Sequence, residues 1–434
     1  MRFSVHTLAY LLAKYNGIHE MEKYLAEIKK SIIAIFCTVF VTLPANANKS
    51  YSIYLDADFT ATKIASLSIQ QGINVALAEE NHRINGYQFE VIAKDHKGSS
   101  LRSKRNLESF LADSNGLLVF SGLHSPPLLA NKKFINDKHI LVLNPWAAAG
   151  PITRTTDKNN WIFRLSIDDS NAGTFISKHA IKEGFNKPYL LLEDTGWGRS
   201  NKNTMAKTLI AKHIKPKGIS WFNWGLGIHH AKLLLRTAKS SGADVIFFVG
   251  NASEGKTFAK AMLALEAELQ LPIRSHWGVT GGDFSTVINN EARQKLDLQF
   301  IQTKFSFLTQ PQPLLAQKVL SQAITMYPGI NTAKDIKAPT GFVHAYDLTK
   351  LLIAAIKQSG LTGDKYHDIK AIKLALENLK NPVQGLIKLY QMPYSSYTVD
   401  NKNSHEALDE TDYAMGYYQV DNSIALLPNI NLSK

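Results

Sequence analysis

The sequence predicts an α/β protein with two lobes built on parallel sheets, and three observations support this fold class. Short apolar runs alternate with amphipathic stretches of helical length, the pattern of parallel βαβ units with right-handed crossovers. The 434 residues exceed the usual size of one domain, so two lobes are expected. Hydrophobic residues make up 45% and charged residues 20% of the chain, a composition typical of a protein that buries a core.

The N-terminal segment has the pattern of a secretory signal peptide. Lys29 and Lys30 precede an apolar run over residues 32–43, which ends in the sequence Pro-Ala-Asn-Ala47. A basic start, about a dozen apolar residues and an Ala-x-Ala end predict cleavage after Ala47. The apolar run is too short to span a membrane as a helix.

A signal of ordinary length would begin at Met21. We therefore predict that residues 21–47 are the signal peptide and that residues 1–20 are a mis-assigned N-terminal extension. The mature product is expected to be a free periplasmic protein. The single cysteine, Cys37, lies in the predicted signal, so no disulfide or thiol chemistry is expected in the mature chain.

The chain is basic, but its charge pattern does not indicate nucleic-acid binding. The formal net charge is +13, and it falls to +11 when residues 1–47, with five basic and three acidic residues, are removed. The lysines are scattered singly, without an arginine-rich block, zinc-ligand spacing or an aromatic RNA-binding motif. A solvated basic surface is the better interpretation, and no nucleic-acid partner is predicted.

The predicted elements alternate along the mature chain. Strands are predicted at residues 52–55, 88–93, 116–121, 139–144, 188–192, 218–222 and 244–250. Helices are predicted at residues 65–80, 103–113, 172–183, 203–213 and 230–240. Because ligands bind at the carboxyl ends of strands in such sheets, the loops after these strands are the candidate site.

Motifs of enzymes and cofactor sites are missing from the sequence. The pair Gly196 and Gly198 lacks the third glycine of a dinucleotide fingerprint, and no Gly-x-Ser-x-Gly, His-Glu-x-x-His or metal-spaced Cys/His set is present. His229 and His230 cannot share a helix face, so they do not predict a metal site. The pair at positions 405 and 406, His-Glu, falls in a polar segment and is expected to be solvated. We predict a non-enzymatic protein without a cofactor or metal.

Several stretches, taken in order, resemble one family. The stretch SLSIQQGINVALAEENHRINGYQFEVIAKD, residues 66–95, resembles the opening of the type I periplasmic binding proteins related to the leucine/isoleucine/valine receptor of ABC transporters. The same order continues through FSG at 120–122, NPWA at 144–147, FR at 163–164, EDTGWG at 193–198, VG at 249–250 and AYD at 345–347. The resemblance covers residues 51–390.

The resemblance implies two Rossmann-like lobes with parallel sheets, joined by a three-strand hinge. Carried onto this chain, lobe one would comprise residues 48–167 plus 302–382. Lobe two would comprise residues 168–301 plus 383–434. The first crossover would follow Arg164, and the second would lie near residues 301–305.

The family's carboxylate site is altered in this sequence. In amino-acid receptors of the family, a serine at a helix start and a threonine after an alanine bind the ligand carboxylate. Ser125 and Ala147 match the first two positions, but Ala148 stands where the threonine would be. Pro126 and Pro127 also remove two amide donors from the helix start. Ser125 could equally be a plain helix cap.

Four further positions are predicted to line the cleft. Trp197 matches the aromatic position of the family's acid–aromatic–Gly turn, and Trp146 lies beside Ala147. Glu254 matches the acid that holds the ligand's ammonium group, although an acid in the first turn of a helix also complements the helix dipole without a ligand. Asp58, at the end of the first strand, is a second acidic candidate or simply ends that strand.

The resemblance implies a function in solute binding. The predicted protein captures a small amino-acid-like, amide or amine ligand by hinge closure and delivers it to an ABC permease. An alternative is an extracytoplasmic sensor that presents ligand occupancy to a separate membrane signalling protein. The protein is predicted to be a monomer.

Overall fold

The computed structural model describes residues 17, 20, 21, 23, 25–27, 49–155, 159–398 and 400–428. The chain divides into two units, Met1–Lys49 and Ser50–Lys434. The described residues between 17 and 27 are helical and exposed. The predicted cleavage site after Ala47 and the apolar run of the predicted signal lie outside the described residues. Within the described part of the chain, no helix combines the length and hydropathy needed to cross a membrane.

The first sheet of the second unit has six strands in the order β2-β3-β1-β4-β5-β6. The pairs among β3, β1, β4, β5 and β6 are all parallel, and β2 adds an antiparallel edge. The strands are β1 (Ser50–Ala57), β2 (Arg83–Ile84), β3 (Tyr87–Asp95), β4 (Gly116–Ser121), β5 (Val142–Asn144) and β6 (Ile162–Arg164). The register pairs Asp56 of β1 with Ser121 of β4, so these two strands end side by side.

The second sheet has seven strands in the order β15-β14-β11-β10-β9-β7-β8. Strands β7 to β11 are parallel, and β14 and β15 are antiparallel additions. The strands are β7 (Pro188–Glu193), β8 (Gly218–Phe222), β9 (Val245–Val249), β10 (Ile273–Ser275), β11 (Leu298–Thr303), β14 (Tyr413–Tyr418) and β15 (Ile424–Leu426). A separate hairpin joins β12 (Val383–Gln384) to β13 (Leu389–Tyr390).

Helices connect the parallel strands and cover both sheets. The α-helices are Lys63–Ala78, Ser100–Ala112, Ser125–Asp137, Asp169–Lys182, Gly196–Ala211, Ile228–Ser240, Ala252–Leu263, Phe284–Val287, Asn290–Gln294, Leu314–Met326, Pro339–Ser359 and Lys365–Leu376. Central strands such as β4, β5 and β9 are buried along their whole length, as expected for parallel strands covered on both faces. The predicted α/β fold class with two parallel-sheet lobes is confirmed.

The structure confirms the type and approximate position of every strand and helix predicted above. The strands at 116–121 and 218–222 have the predicted bounds, and the others differ by a few residues. The sequence-based prediction did not include β2, β6 or β10 to β15. The strands β6 and β10 have only three residues each, too few positions to establish a strand pattern.

Arg164 ends β6 at the first crossover between the sheets, and it is fully buried in a network of charges. Its Nε donates to Glu406 Oε2 at 2.7 Å, and its Nη2 donates to Glu406 Oε1 at 2.7 Å and Asp168 Oδ1 at 2.9 Å. The expectation that His405 and Glu406 are solvated is wrong. His405 is fully buried and donates to the carbonyl of Ile162, and Glu406 pairs with Arg164.

The hairpin of β12 and β13 packs against the helix Pro339–Ser359. The N–H of Leu386 and the hydroxyl of Tyr390 both donate to the buried carboxylate of Asp347, in the helix Pro339–Ser359. Burial raises the pKa of Asp347 to about 6, although these hydrogen bonds partly offset the effect. These contacts join the hairpin to the helix Pro339–Ser359, and the predicted lobe boundary at residue 382 stays a prediction.

Candidate functional site

The candidate site lies where the carboxyl ends of the two sheets' strands meet. In each sheet the strand order reverses beside the first strand, between β1 and β4 in one lobe and between β7 and β9 in the other. Ligands of open α/β sheets bind at such switch points. The loops that follow β4, β5, β7, β9 and β10 all reach one small cavity between the lobes.

Both lobes line this cavity. The lining residues are Leu123, His124, Ser125, Pro126, Trp146, Ala148, Glu193, Trp197, Asn251, Trp277 and Gly278. The interior volume open to the centre of a water molecule is about 10 Å3, close to the room that one water needs. The lobes therefore meet in a closed arrangement, and a larger ligand requires the walls to move apart.

Three tryptophans form the apolar walls of the cavity. Trp146 follows β5, Trp197 lies in the first turn of the helix Gly196–Ala211, and Trp277 follows β10. Trp146 belongs to lobe one and Trp277 to lobe two, and their ring centroids are 6.0 Å apart. A Cβ at Gly278 would lie 2.7 Å from the ring of Trp197, so only glycine allows this close approach.

The polar groups of lobe one come from the helix start after β4. The Oγ of Ser125 accepts a hydrogen bond from the N–H of Ala149 at 3.2 Å. The Nε2 of His124 lies 3.2 Å from Oδ2 of Asp58, so the two side chains form a buried pair. Burial alone would raise the pKa of Asp58, but hydrogen bonds from His124 and the N–H of Ala61 outweigh it and lower the pKa to about 2.

Glu193, the last residue of β7, is the carboxyl group that lobe two contributes to the cavity. Its oxygens accept from Thr195 Oγ1 at 3.1 Å and from Asn251 Nδ2 at 2.9 Å. Burial raises the pKa of Glu193 to about 7, although these donors and the indole of Trp224 partly offset the effect. Glu193 is therefore substantially protonated near neutral pH.

Trp224 extends from the loop after β8 towards lobe one. Its ring centroid lies 5.3 Å from that of His124, and it also hydrogen-bonds to Glu193 in its own lobe. A Cβ at Gly98, after β3, would lie 3.4 Å from the Trp224 ring. The loop of Trp224 therefore closes one side of the cleft by contacting both lobes.

The structure brings together four of the residues predicted from the sequence. Ser125, Trp146, Ala148 and Trp197 all line the cavity. Asp58 does not line the cavity, but it pairs with His124, which does line it. Whether these residues bind a ligand stays a prediction.

The other two predicted residues lie outside the lining. Ala147 is buried, and its carbonyl accepts a hydrogen bond from Asn144. Glu254 is 4% exposed, and its Oε1 accepts from the N–H of Gly225 at 3.1 Å. This hydrogen bond uses only part of the acceptor capacity of the carboxylate. The ammonium-binding role of Glu254 stays a prediction.

Sequence reasoning did not select His124, Glu193, Asn251 or Gly278 as site residues. His124 adjoins the selected Ser125, Glu193 ends β7 and Asn251 follows β9, and these positions were the available signal. Trp277 was also not among the residues selected from the sequence. No group of three or more metal-binding side chains occurs among the residues whose placement is described.

A second, more open groove of about 880 Å3 lies beside the first crossover and has basic side chains along its walls. Lys132, Lys133, Arg154 and Arg199 already have partners within the chain. Lys132 donates to the carbonyls of Pro151 and Arg154, and Arg199 pairs with Asp194. The groove is therefore a less suitable ligand site than the cavity between the strand ends.

Comparison with known proteins agrees with this architecture. A family model described as periplasmic binding protein matches residues 55–407. The chain therefore belongs to the periplasmic binding protein family, whose members bind solutes outside the cytoplasm and are not enzymes. No curated protein sequence matches this chain significantly.

Solved structures show the same fold at low sequence identity. A type 1 periplasmic binding protein from Bordetella pertussis is 15% identical, with a TM-score of 0.70 over 88% of this chain and 100% of its own. An ABC transporter solute-binding protein from R. palustris, in complex with 4-hydroxybenzoate, is 15% identical, with a TM-score of 0.70 over 88% of this chain and 96% of its own. A leucine-binding protein from Thermotoga maritima is 14% identical, with a TM-score of 0.66 over 87% and 98%.

Proposed function

We propose that this protein is the solute receptor of an ABC transporter and that it captures a small molecule by closing its two lobes. The observation that carries the proposal is a cavity lined by strand ends of both lobes, with Trp146 of one lobe facing Trp277 of the other. A ligand in this position contacts both walls only when the lobes are closed. Its binding energy therefore favours the closed state over the open one.

The three segments that connect the lobes provide the hinge in this proposal. They follow Arg164, Thr303 and Leu408, where the chain passes between the two sheets. Short connections of this kind can absorb the backbone rotation of a closure while the sheets move as rigid bodies. The protein needs no bond chemistry for this function.

The ligand is proposed to be small and amphipathic. The sequence predicted an amino-acid-like, amide or amine ligand, chiefly from Glu254. The similar structures were solved with leucine in one case and with 4-hydroxybenzoate, benzoate or 3,4-dihydroxybenzoate in others. These two chemical classes, amino acids and aromatic acids, are the first to screen.

The partner and the location follow from the same proposal. The closed lobes would dock on a membrane permease, and the mature chain would be a periplasmic monomer exported by the signal at residues 21–47. The sensor alternative uses the same closed surface towards a separate membrane protein. Ligand uptake by vesicles that contain the candidate permease, with and without this protein, distinguishes transport from sensing.

The proposal predicts saturable binding of one small molecule per chain. A ligand at 100 times its Kd stabilises the folded state by about 2.7 kcal/mol. A thermal-shift screen of the protein comprising residues 48–434 against amino acids, amides, polyamines and aromatic acids should therefore find ligands that raise the Tm. Calorimetry should then give a 1:1 stoichiometry. Absence of binding by every small molecule in a broad screen would contradict the proposal.

A further inference from the structure

Two tryptophans that line the cavity have indole N–H groups without a hydrogen-bond partner. The nitrogens without a partner are the Nε1 atoms of Trp146 and Trp197, and the Nδ1 of His124 is the one other such atom among the described lining residues. The three side chains are 1%, 6% and 7% exposed, so water does not readily satisfy them. Buried polar atoms without partners are uncommon in folded proteins, because each loses its hydrogen bonds to water.

The two carboxyl groups in and beside the cavity lining, in contrast, already have donors. The carboxyl oxygens of Glu193 accept from Thr195 and Asn251, and the carboxylate of Asp58 accepts from the backbone N–H groups of Thr60 and Ala61. The site therefore has an excess of donors. An indole nitrogen can only donate, so the group that completes this site must be an acceptor.

The cavity walls indicate the chemistry of the rest of the ligand, apart from its acceptor group. The rings of Trp146, Trp197 and Trp277 surround the same space, and aromatic rings pack well against a flat apolar group. A carboxylate is the strongest common acceptor for N–H donors, because its negative charge roughly doubles the strength of each hydrogen bond.

An ammonium group has no comparable position in this cavity. Glu254 lies outside the lining and accepts from Gly225, and burial raises the pKa of Glu193 to about 7, so Glu193 is a weak counter-ion at neutral pH. A cation buried without a paired charge is costly. A flat acid without an amino group avoids that cost.

We propose that the cavity takes a small, flat carboxylate without an ammonium group, whose oxygens accept from the indole N–H groups of Trp146 and Trp197. This inference rests on the proposed solute-binding function and specifies its ligand class. The tryptophan rings bind the apolar body, and the two indole nitrogens select for the acid.

The test uses five probes and matched tryptophan variants. Benzoate and 4-hydroxybenzoate represent flat acids, benzylamine a flat cation, benzyl alcohol a neutral ring, and leucine an amino acid. Trp197→Phe and Trp146→Phe keep an aromatic ring and remove the N–H. Trp161→Phe is the control, because its indole donates to Asn159 and its ring is not in the cavity lining.

Calorimetry should show that a flat acid binds more tightly than benzylamine, benzyl alcohol and leucine. Loss of one hydrogen bond to a charged group should weaken acid binding by about 10- to 100-fold in Trp197→Phe and Trp146→Phe. Trp161→Phe should bind the acid as the unmodified protein does. Urea unfolding of each variant shows whether an affinity change reflects loss of folding.

Three results would overturn the proposed ligand class. One is that leucine or benzylamine binds more tightly than either acid and that this binding is lost in Glu254→Gln. The second is acid binding that neither Trp197→Phe nor Trp146→Phe weakens. The third is no binding of either acid while another molecule of the wider screen binds, which leaves the solute-binding function intact. Binding of no molecule in either set would reject both the ligand class and the solute-binding function.

Discussion

Arg164→Met is expected to lower the free energy of unfolding by about 3–5 kcal/mol, the usual cost of breaking a buried charge pair. Arg164 is fully buried, and its guanidinium is the shared partner of Asp168 and Glu406. It also donates to the carbonyls of Ala148 and Ala149 at 2.9 and 3.0 Å. The substitution leaves two buried carboxyl groups and two carbonyls without this donor.

The pKa values of the two partners explain the direction of this effect. Burial would raise the pKa of Asp168, but Arg164 and then Arg154 outweigh it and hold the pKa below its usual value. Burial raises the pKa of Glu406 even though Arg164 opposes the shift. Without Arg164, ionised Glu406 becomes still less favourable in the folded state.

Urea unfolding at pH 7 measures the effect of Arg164→Met. Arg199→Met is the matched control, because the Arg199–Asp194 pair is largely exposed and should contribute no more than about 1 kcal/mol. A loss below about 1 kcal/mol in Arg164→Met would show that the network at the first crossover does not stabilise the fold.

Glu193→Gln is expected to make the protein more stable at pH 8, despite removing a side chain at the cavity. Burial raises the pKa of Glu193 from 4.5 to about 7, so the folded state retains a proton that the unfolded state has lost. The folded state binds more protons between about pH 4.5 and 7, and stability falls as the pH rises through this window. The nearby charge of Glu254 acts in the same direction.

The expected difference is large enough to measure. Ionising Glu193 in the folded protein costs on the order of 3 kcal/mol above pH 7, and glutamine does not ionise. Because glutamine has one acceptor oxygen fewer for Thr195 and Asn251, we expect a net gain of about 2 kcal/mol at pH 8 and a loss of about 1 kcal/mol at pH 4.5. Urea unfolding from pH 4.5 to 8 measures both values.

The control for Glu193→Gln is Glu291→Gln, whose side chain is 80% exposed on a short helix. The buried carboxyls of Asp56 and Asp347 also have pKa values raised to about 6, but they contribute equally to both proteins and cancel in the comparison. A Glu193→Gln variant that is less stable than the unmodified protein at pH 8 would show that Glu193 is ionised at little cost.

The sequence predicted most of the fold because parallel strands covered on both faces are continuous apolar runs. The run at 244–250 became β9, buried at all its positions. The strand β10 was missed because three residues do not form a recognisable run. The placement of His405 and Glu406 was wrong because their partners are distant in sequence; Arg164 and Glu406 are 242 residues apart.

The candidate site was predictable to the level of strand ends, but not to the direction of each side chain. Trp146 and Trp197 follow strands and line the cavity as the pattern indicated. Glu193 and Glu254 also lie at or just after strand ends, yet only Glu193 lines the cavity. Which carboxyl faces the ligand depends on helix rotation and on the Gly225 loop, and neither can be read from residue spacing.

Small-angle X-ray scattering of residues 48–434, with and without a ligand identified by calorimetry, tests lobe closure most directly. Closure around the ligand predicts a smaller radius of gyration at saturation than in the free protein, because the ligand stabilises the arrangement in which both lobes contact it. A radius of gyration that stays unchanged when calorimetry shows full occupancy would contradict the account.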